Sequence, residues 1–353
     1  MAANVVGLDI GSRSLRAVEV NDARKSHPTV VRYREVVLPD GAVSRGEVLE
    51  HSTVAAALKR LWSEGKFSSK KVILGMGNHR VVARELTVPK MSLSGIRESL
   101  PLHVEELLSV PVAEALLDFY PIAESVGENG PQVNGLLIAA VAAAVRGNVT
   151  AVQAAGLQPI DVDLIPFALS RLMRLEQTGP AASTDGAVAQ IDVGAGTTTV
   201  VISVAGVPQF IRLIPTGGQD LTQALTIRLS IETDAAEALK RSSGFARSET
   251  AAVNSEAAAV IREVTTELLN SLRNTVSYFS NTRHSQPVRR IVLSGGGAQI
   301  AGFASELSAL TRVAVSAPEF PSNVGFGRGI DAHAFKSGGT FSVALGLALG
   351  AAA

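Results

Sequence analysis

Two strand–turn–strand segments, each with an Asp-x-Gly at the mouth of its turn, stand about 180 residues apart and constrain this fold more than anything else in the chain. The first runs Val5-Val6-Gly7-Leu8-Asp9-Ile10, then a polar Gly11-Ser12-Arg13 turn, then Ser14 to Val20. The second runs Ala187 to Val193, a Gly194-Ala195-Gly196 turn, and Thr197 to Val204. A duplicated opening at this separation predicts two similar α/β domains with a ligand cleft between them. With 353 residues, 46% apolar and 18% charged, the chain can bury two such cores.

Between the openings, Val81 to Val88 reads as a strand and Ser94 to Leu108 as helical material broken by Pro101. Glu114 to Ile122 and Leu136 to Val145 read as strands around a glycine-bearing loop, and Asn148 to Ala155 as a helix stopped by Gly156. This block predicts an inserted subdomain. Farther on, Gln219 to Leu229 and Asp234 to Arg241 read as helices. Glu256 to Ser280 is a longer amphipathic helix, with Val260, Val264, Leu268, Leu272, Val276 and Phe279 on one stripe. Arg289 to Leu293 is a strand entering Ser294-Gly295-Gly296-Gly297-Ala298, and Phe341 to Leu349 a closing helix of small residues.

Several function classes are set aside by composition. Lys and Arg total 32 against 32 Asp and Glu, so no overall charge draws the chain to nucleic acid or anionic lipid, and no nucleic-acid partner is expected. Cysteine is absent, which removes disulfides, thiolate nucleophiles and Cys-based metal sites. The six histidines, at 27, 51, 79, 103, 284 and 333, lack ligand spacing. Met1-Ala2-Ala3-Asn4 does not open a secretory signal, and Leu136 to Val145 is about half the ~20 residues of a membrane helix. The expectation is a cytoplasmic chain without direct membrane insertion.

The three glycine-rich segments carry the chemistry. A tight turn whose glycines let backbone N–H groups converge can cradle phosphate oxygens, and the hydroxyls of Ser12, Ser14, Thr197 and Thr198 add donors. Asp9 and Asp192, one at each turn, are suited to hold Mg²⁺ through its water shell. The run Gly295-Gly296-Gly297 after a buried strand lets backbone lie flat against a nucleoside.

Asp9-Ile-Gly-Ser-Arg-Ser-Leu-Arg16, Asp192-Val-Gly-Ala-Gly-Thr-Thr198 and Leu293-Ser-Gly-Gly-Gly297 resemble, in this order, the phosphate 1, phosphate 2 and adenosine motifs of the actin, heat-shock chaperone and sugar kinase superfamily. Within it the whole chain resembles the PilM family of type IV pilus assembly proteins, in the FtsA-like branch. The selecting feature is the block Arg84-Glu-Leu-Thr-Val-Pro89, Leu107-Leu-Ser-Val-Pro111 and Ala115-Leu-Leu-Asp118-Phe-Tyr120, similar to an extra subdomain that actin and the sugar kinases lack. The resemblance implies an actin-like ATPase fold. Residues 1–80, rejoined by 160–184 and 338–353, would form subdomain 1A, and 81–159 the inserted 1C. Residues 185–215 with 288–337 would form 2A, and 216–287 would form 2B.

ATP or ADP with Mg²⁺ is the implied cofactor. Its phosphates would meet Gly11, Ser12, Arg13, Ser14 and Arg16 from one loop and Gly194, Gly196, Thr197 and Thr198 from the other, with Asp9 and Asp192 reaching Mg²⁺ through water. Gly217, Gly218, Glu237, Lys240 and Arg241 would lie on the ribose side and Gly295, Gly296 and Gly297 against the base. For Glu237 a second reading stays open, since Asp234-x-x-Glu237 is also a capping box at a helix start. The implied partner is the N-terminal cytoplasmic peptide of a PilN-like bitopic inner-membrane protein, which would attach the chain peripherally to the inner membrane. Pilus motor ATPases and a homo-oligomer are further partners such a protein could have.

Two departures from the family pattern bear on activity. Arg16 stands where Lys is usual, keeping the charge on a planar fork. Ile165-Pro166 stands where the family has Glu and actin Gln, and an aliphatic side chain cannot orient an attacking water. No catalytic residue is assigned, and at most weak ATPase activity is expected. A small-molecule kinase would need a general base that the sequence does not offer. A membrane-tethered, FtsA-like filament protein would need a basic amphipathic terminus, but Phe341 to Ala353 contains neither Lys nor Arg.

Overall fold

The computed structural model describes residues 4–108, 110–128, 130–176, 186–243 and 255–350. Parts of the expected segments at 1–3, Ser109, Asn129, 177–185, 244–254 and 351–353 lie outside the described residues. Strands β1 (Val5–Ile10), β2 (Ser14–Asn21) and β3 (Thr29–Val37) form an antiparallel meander. A short hairpin, β4 (Val43–Ser44) and β5 (Glu47–Val48), and helix α1 (His51–Gly65) lead to β6 (Lys71–Met76), which lies parallel to β1. All of β1 is buried, as expected of a central strand covered on both faces.

The chain then leaves this sheet. Strand β7 (Val81–Pro89), helix α2 (Leu93–Val104), and the long strands β8 (Ala115–Gly127) and β9 (Gly130–Val141) build a separate sheet of order β7-β9-β8. Ile96, Leu100 and Val104 of α2 pack on Val88, Phe119, Val133 and Leu137 of that sheet. Helix α3 (Ala142–Ala154) and strand β10 (Gln158–Leu164) return the chain to β6, and α4 (Ile165–Glu176) crosses toward the second half.

The second half repeats the plan. Strands β11 (Ala187–Val193), β12 (Thr198–Val204) and β13 (Val207–Ile214) form a meander. Helices α5 (Gly218–Leu229), α6 (Thr233–Ser243) and α7 (Ser255–Thr282) precede β14 (Val288–Ser294), which is parallel to β11. Helix α8 (Phe303–Thr311) and strand β15 (Ala314–Ser316) complete that sheet. The paths β3-β2-β1-β6-β10 and β13-β12-β11-β14-β15 have one topology, and β16 (Gly325–Phe326) extends the first beside β3. Helix α9 (Ala332–Lys336) and helix α10 (Ser342–Gly350) end the described chain, with α10 lying on β1, β2 and α4. The duplicated openings thus mark a duplicated fold.

The stripe on α7 is core: Leu268, Leu272, Val276 and Phe279 pack under Ile191, Val200, Ile202 and Ile291. Three expectations need correcting. Pro101 does not break α2, which runs through it to Val104. The proline lies on the exposed face, so the carbonyl left without a helical partner faces water while the buried stripe holds the helix. The apolar run from Leu136 to Val145 is not one strand: β9 ends at Val141 and the alanines from Ala142 begin α3, six residues before the expected helix start at Asn148. Periodicity cannot divide such a run, and only pairing with β7 and β8 does. Strand β8 also continues five residues past Ile122, along β9.

Candidate functional site

The two turns are built alike. Gly11 N–H donates to the Ser14 carbonyl at 3.0 Å, and Gly194 N–H donates to the Thr197 carbonyl at 2.9 Å. They face each other so closely that a Cβ on Gly196 would stand 2.8 Å from Ser12 Oγ. Between them opens a cleft of about 610 Å³, in the range of small-molecule sites. Its lining includes Asp9, Gly11, Ser12, Arg13, Ser14 and Arg16 from the first half and Asp192, Gly194, Gly196 and Thr197 from the second. Gly218, Glu237, Lys240, Arg241, Gly295, Gly296 and Gly297 line the remainder.

Two expected residues fall outside the cleft. Thr198 is fully buried as the first residue of β12, and its hydroxyl donates to the Thr216 carbonyl at 2.7 Å. Gly217 lies beneath the second turn, where a Cβ would stand 2.5 Å from the Ala195 carbonyl oxygen and 2.6 Å from that of Gly194. From there the start of α5 is tied to the turn: Gly218 N–H donates to the Gly194 carbonyl at 2.9 Å and Gln219 N–H to that of Ala195 at 2.7 Å.

The carboxylates at the turns are electrostatically costly. Burial raises the Asp9 pKa from 3.8 to about 6, with Arg16 opposing and Asp192 adding to the rise. Burial also raises Asp192, against a hydrogen bond from Ser294 Oγ at 2.7 Å and the charge of Arg16. Arg16, paired across the strands with Asp9, stands 3.6 Å from it through Nη1 and donates Nε to Glu35 at 3.0 Å. The salt bridge and the place in the cleft wall therefore coexist. Arg13 is held by Asp40 at 2.7 Å.

On the opposite wall, Lys240 Nζ donates to Glu237 Oε2 at 2.6 Å, Thr222 Oγ1 at 2.8 Å and the Gly218 carbonyl at 3.1 Å. Burial lowers the Lys240 pKa despite Glu237, and the charges of Arg241 and Arg13 lower it further. Burial acts against the Glu237 carboxylate, but hydrogen bonds from Lys240, Thr222 and Arg241 prevail and lower its pKa. The helix-cap reading of Glu237 does not hold: α6 begins at Thr233, which puts Asp234 inside the first turn, and both Glu237 oxygens serve side chains. A capping contact forms instead at α5, where Asp220 Oδ2 accepts from Gly217 N–H at 2.7 Å.

Ile165, the first residue of α4, lines the cleft, with Cδ1 2.6 Å from where a Cβ on Gly77 would be. Sequence reasoning missed Thr222, Glu35, Gln299 and Thr340, which also line it. Thr222 closes the Gly217-Gly-Gln-Asp-Leu-Thr run and could have been found by asking what sits one helical turn after Gly218. Gln299 ends the short helical turn that the glycine run opens, whereas Glu35 and Thr340 come from distant elements and carry no local signal.

Residues 7–352 match the family model of type IV pilus assembly protein PilM. The chain belongs to the PilM family. A solved chain of a PilM-PilN type IV pilus biogenesis complex is 28% identical, each chain covering 100% of the other, with a TM-score of 0.85. Cell division protein FtsA of Bacillus subtilis is 24% identical over 268 residues, 68% of this chain, and this PilM-family chain spans 58% of that relative's length. The fold alone is shared with MreB5 of Spiroplasma citri solved with ADP, at 12% identity, 91% and 93% coverage and a TM-score of 0.51. The PilM-family chain is therefore an actin-like ATPase fold, two similar α/β halves about a cleft with an added three-stranded sheet. Among its described residues no helix is long and apolar enough to cross a membrane.

Proposed function

We propose that this PilM-family chain binds ATP or ADP with Mg²⁺ between its two halves, and that the bound nucleotide sets how its inserted sheet receives a membrane partner. One observation carries the reading: two turns of matching hydrogen bonding face each other across the cleft, with a carboxylate at each, Asp9 buried and Asp192 half-buried. The turns and Arg13 suit the phosphates, Lys240, Glu237 and Thr222 the ribose, and Gly295 to Gly297 the base. Arg13 also lowers the Lys240 pKa across the cleft, a repulsion that a polyanion between them would relieve.

The donor set fits Mg²⁺. Asp9 is buried and Asp192 half-buried, the pKa of each is raised by desolvation, and a hydrated divalent ion held by both would offset the cost of their charge. When bound, the ion would neutralise phosphate charge. The chain's own residues bind and orient. Nothing at Ile165 can take a proton or hold a water, so turnover is slow and the nucleotide acts by stabilising one arrangement of the halves. The same wall disfavours a small-molecule kinase.

Residues 81–159 are the docking module in this reading, and its occupant is the N-terminal cytoplasmic peptide of a PilN-like bitopic inner-membrane protein. That partner would keep the chain at the inner membrane. Titration calorimetry tests the first half of the proposal: MgATP and MgADP bind the wild type, while an Asp9→Ala, Asp192→Ala double variant loses at least about tenfold in affinity. Equal binding by the two proteins would remove the cleft reading. Released phosphate should show turnover below about 0.1 per second, well under the 1–10³ per second of ordinary enzymes. A partner peptide that binds with the same affinity with and without nucleotide would remove the coupling.

A further inference from the structure

The hairpin β4–β5 touches the cleft on one side and the root of the inserted sheet on the other, and we propose that it transmits the state of the cleft to the insert. This rests on the nucleotide reading above and names how that site would be coupled to the docking module.

Its two-residue turn is Arg45-Gly46, both in the left-handed region at φ 50° and 80°, as a type I′ hairpin requires. Asn or Gly is the usual choice for such a position. An arginine there is not explained by the turn. Its guanidinium reaches Asp220 Oδ1 at 3.3 Å, on the first turn of α5 in the second half. The Arg45 backbone also abuts the second glycine turn, because a Cβ on Gly196 would lie 3.3 Å from Arg45 N and Cα. Any movement of the second half that shifts α5 and its attached turn therefore acts on Arg45.

The other face of the hairpin is bound to the insert. Glu47 Oε2 pairs with Arg80 Nε at 3.0 Å, and Arg80 immediately precedes β7. The Arg80 carbonyl accepts from Val141 N–H at the end of β9, so both strands that tie the insert to the first half meet here. Asn148 of α3 donates to the Gly46 carbonyl at 3.0 Å and accepts from Val48 N–H at 3.0 Å. Asn78 packs against Gly46 and accepts from Arg80 N–H through Oδ1, yet its enclosed Nδ2 has no hydrogen-bond partner among the described residues. A buried donor left unpaired gains from rearrangement, and the backbone packed against it is the hairpin turn. The contact to Asp220 spans the two halves while the contact to Arg80 stays within one. That asymmetry lets cleft closure bias the insert.

Hydrogen exchange on the full chain, with and without saturating MgADP, tests the relay, with binding measured in parallel by calorimetry. In the wild type, MgADP is expected to change exchange at residues 79–84 and 142–148 by about threefold or more. Arg45→Ala and Glu47→Gln, both at solvent-accessible side chains, should melt like the wild type and still bind MgADP but lose that change. Arg45→Lys should keep most of it. Lys90→Ala, which removes an ion pair to Glu124 within the insert, is the control that retains it. A change at the insert root that persists in both hairpin variants overturns the relay. So does wild-type binding of MgADP with no change at the root. Failure of the wild type to bind MgADP would be seen directly by calorimetry and removes the nucleotide reading together with the relay.

Discussion

Asp9→Asn is expected to make the unliganded protein more stable at pH 7.5 and a poorer binder of MgATP. Ionising the buried carboxylate, whose pKa rises from 3.8 to about 6, costs on the order of 3 kcal/mol by linkage, and asparagine keeps the shape without the charge. The opposing charge of Arg16 is already contained in that shift, so the expected gain is roughly 1–3 kcal/mol, or a melting temperature higher by a few degrees. Affinity for MgATP should fall by about tenfold or more, while affinity for ATP measured in EDTA should change little. Calorimetry and thermal melts on the same samples check both. A variant that melts below the wild type and binds MgATP as well removes the assignment of Asp9 to the ion.

The pH dependence follows with a definite sign. Because the folded pKa lies above the unfolded value, the folded state holds a proton between about pH 4 and 6 that the unfolded state has released. Asp9 therefore contributes stability that is present in acid and lost as pH rises through about 6. Binding of Mg²⁺ runs the other way, since the ion needs the ionised carboxylate. Wild-type MgATP affinity should weaken below about pH 6, by up to tenfold per pH interval of one, and Asp9→Asn should show only the titration of the nucleotide itself. Asp192, whose pKa burial also raises, should behave in the same direction.

Much of this was legible in sequence because it is local. A strand, a turn with Asp at its mouth, and a second strand lie within residues 5–21, so the hairpin and its Asp9 could be read before any tertiary contact was known. The duplicated topology followed from finding the same device again at Asp192. Ile165, matched by family resemblance to the position of a water-orienting side chain, does line the cleft. What failed depended on long-range contacts. The division of Leu136 to Val145 between β9 and α3 is decided by strand partners on either side of β9, not by its own periodicity. Thr198 looked like a phosphate donor by type, but its neighbour Thr197 faces the cleft while Thr198 points into the sheet to reach Thr216. Arg45 gave no signal at all, since its partner is 175 residues away.

The three consecutive glycines separate folding from binding, and alanine at each should give a different result. Gly295 has φ 92°, and a Cβ there would stand 2.3 Å from the Val193 carbonyl oxygen, which the β11 backbone cannot yield. Gly295→Ala should therefore destabilise by roughly 3 kcal/mol or more, combining left-handed strain with a clash. At Gly297 the nearest atom is Val193 Cγ1 at 2.6 Å, with the Gly194 carbonyl oxygen at 3.0 Å; a side chain can turn away, so roughly 1–3 kcal/mol is expected. Gly296 meets nothing within 4 Å, although it lines the cleft. Gly296→Ala should melt within about 0.5 kcal/mol of the wild type, as substitutions without contacts do. If a nucleoside lies against this backbone, the same methyl intrudes on it, and affinity should drop by about tenfold or more while the phosphate turns stay intact. Inorganic triphosphate then serves as the discriminating ligand, because it should bind Gly296→Ala and the wild type alike. Unchanged ATP affinity in Gly296→Ala would mean that the base lies elsewhere in the cleft, leaving the third glycine run as a packing device beneath β11.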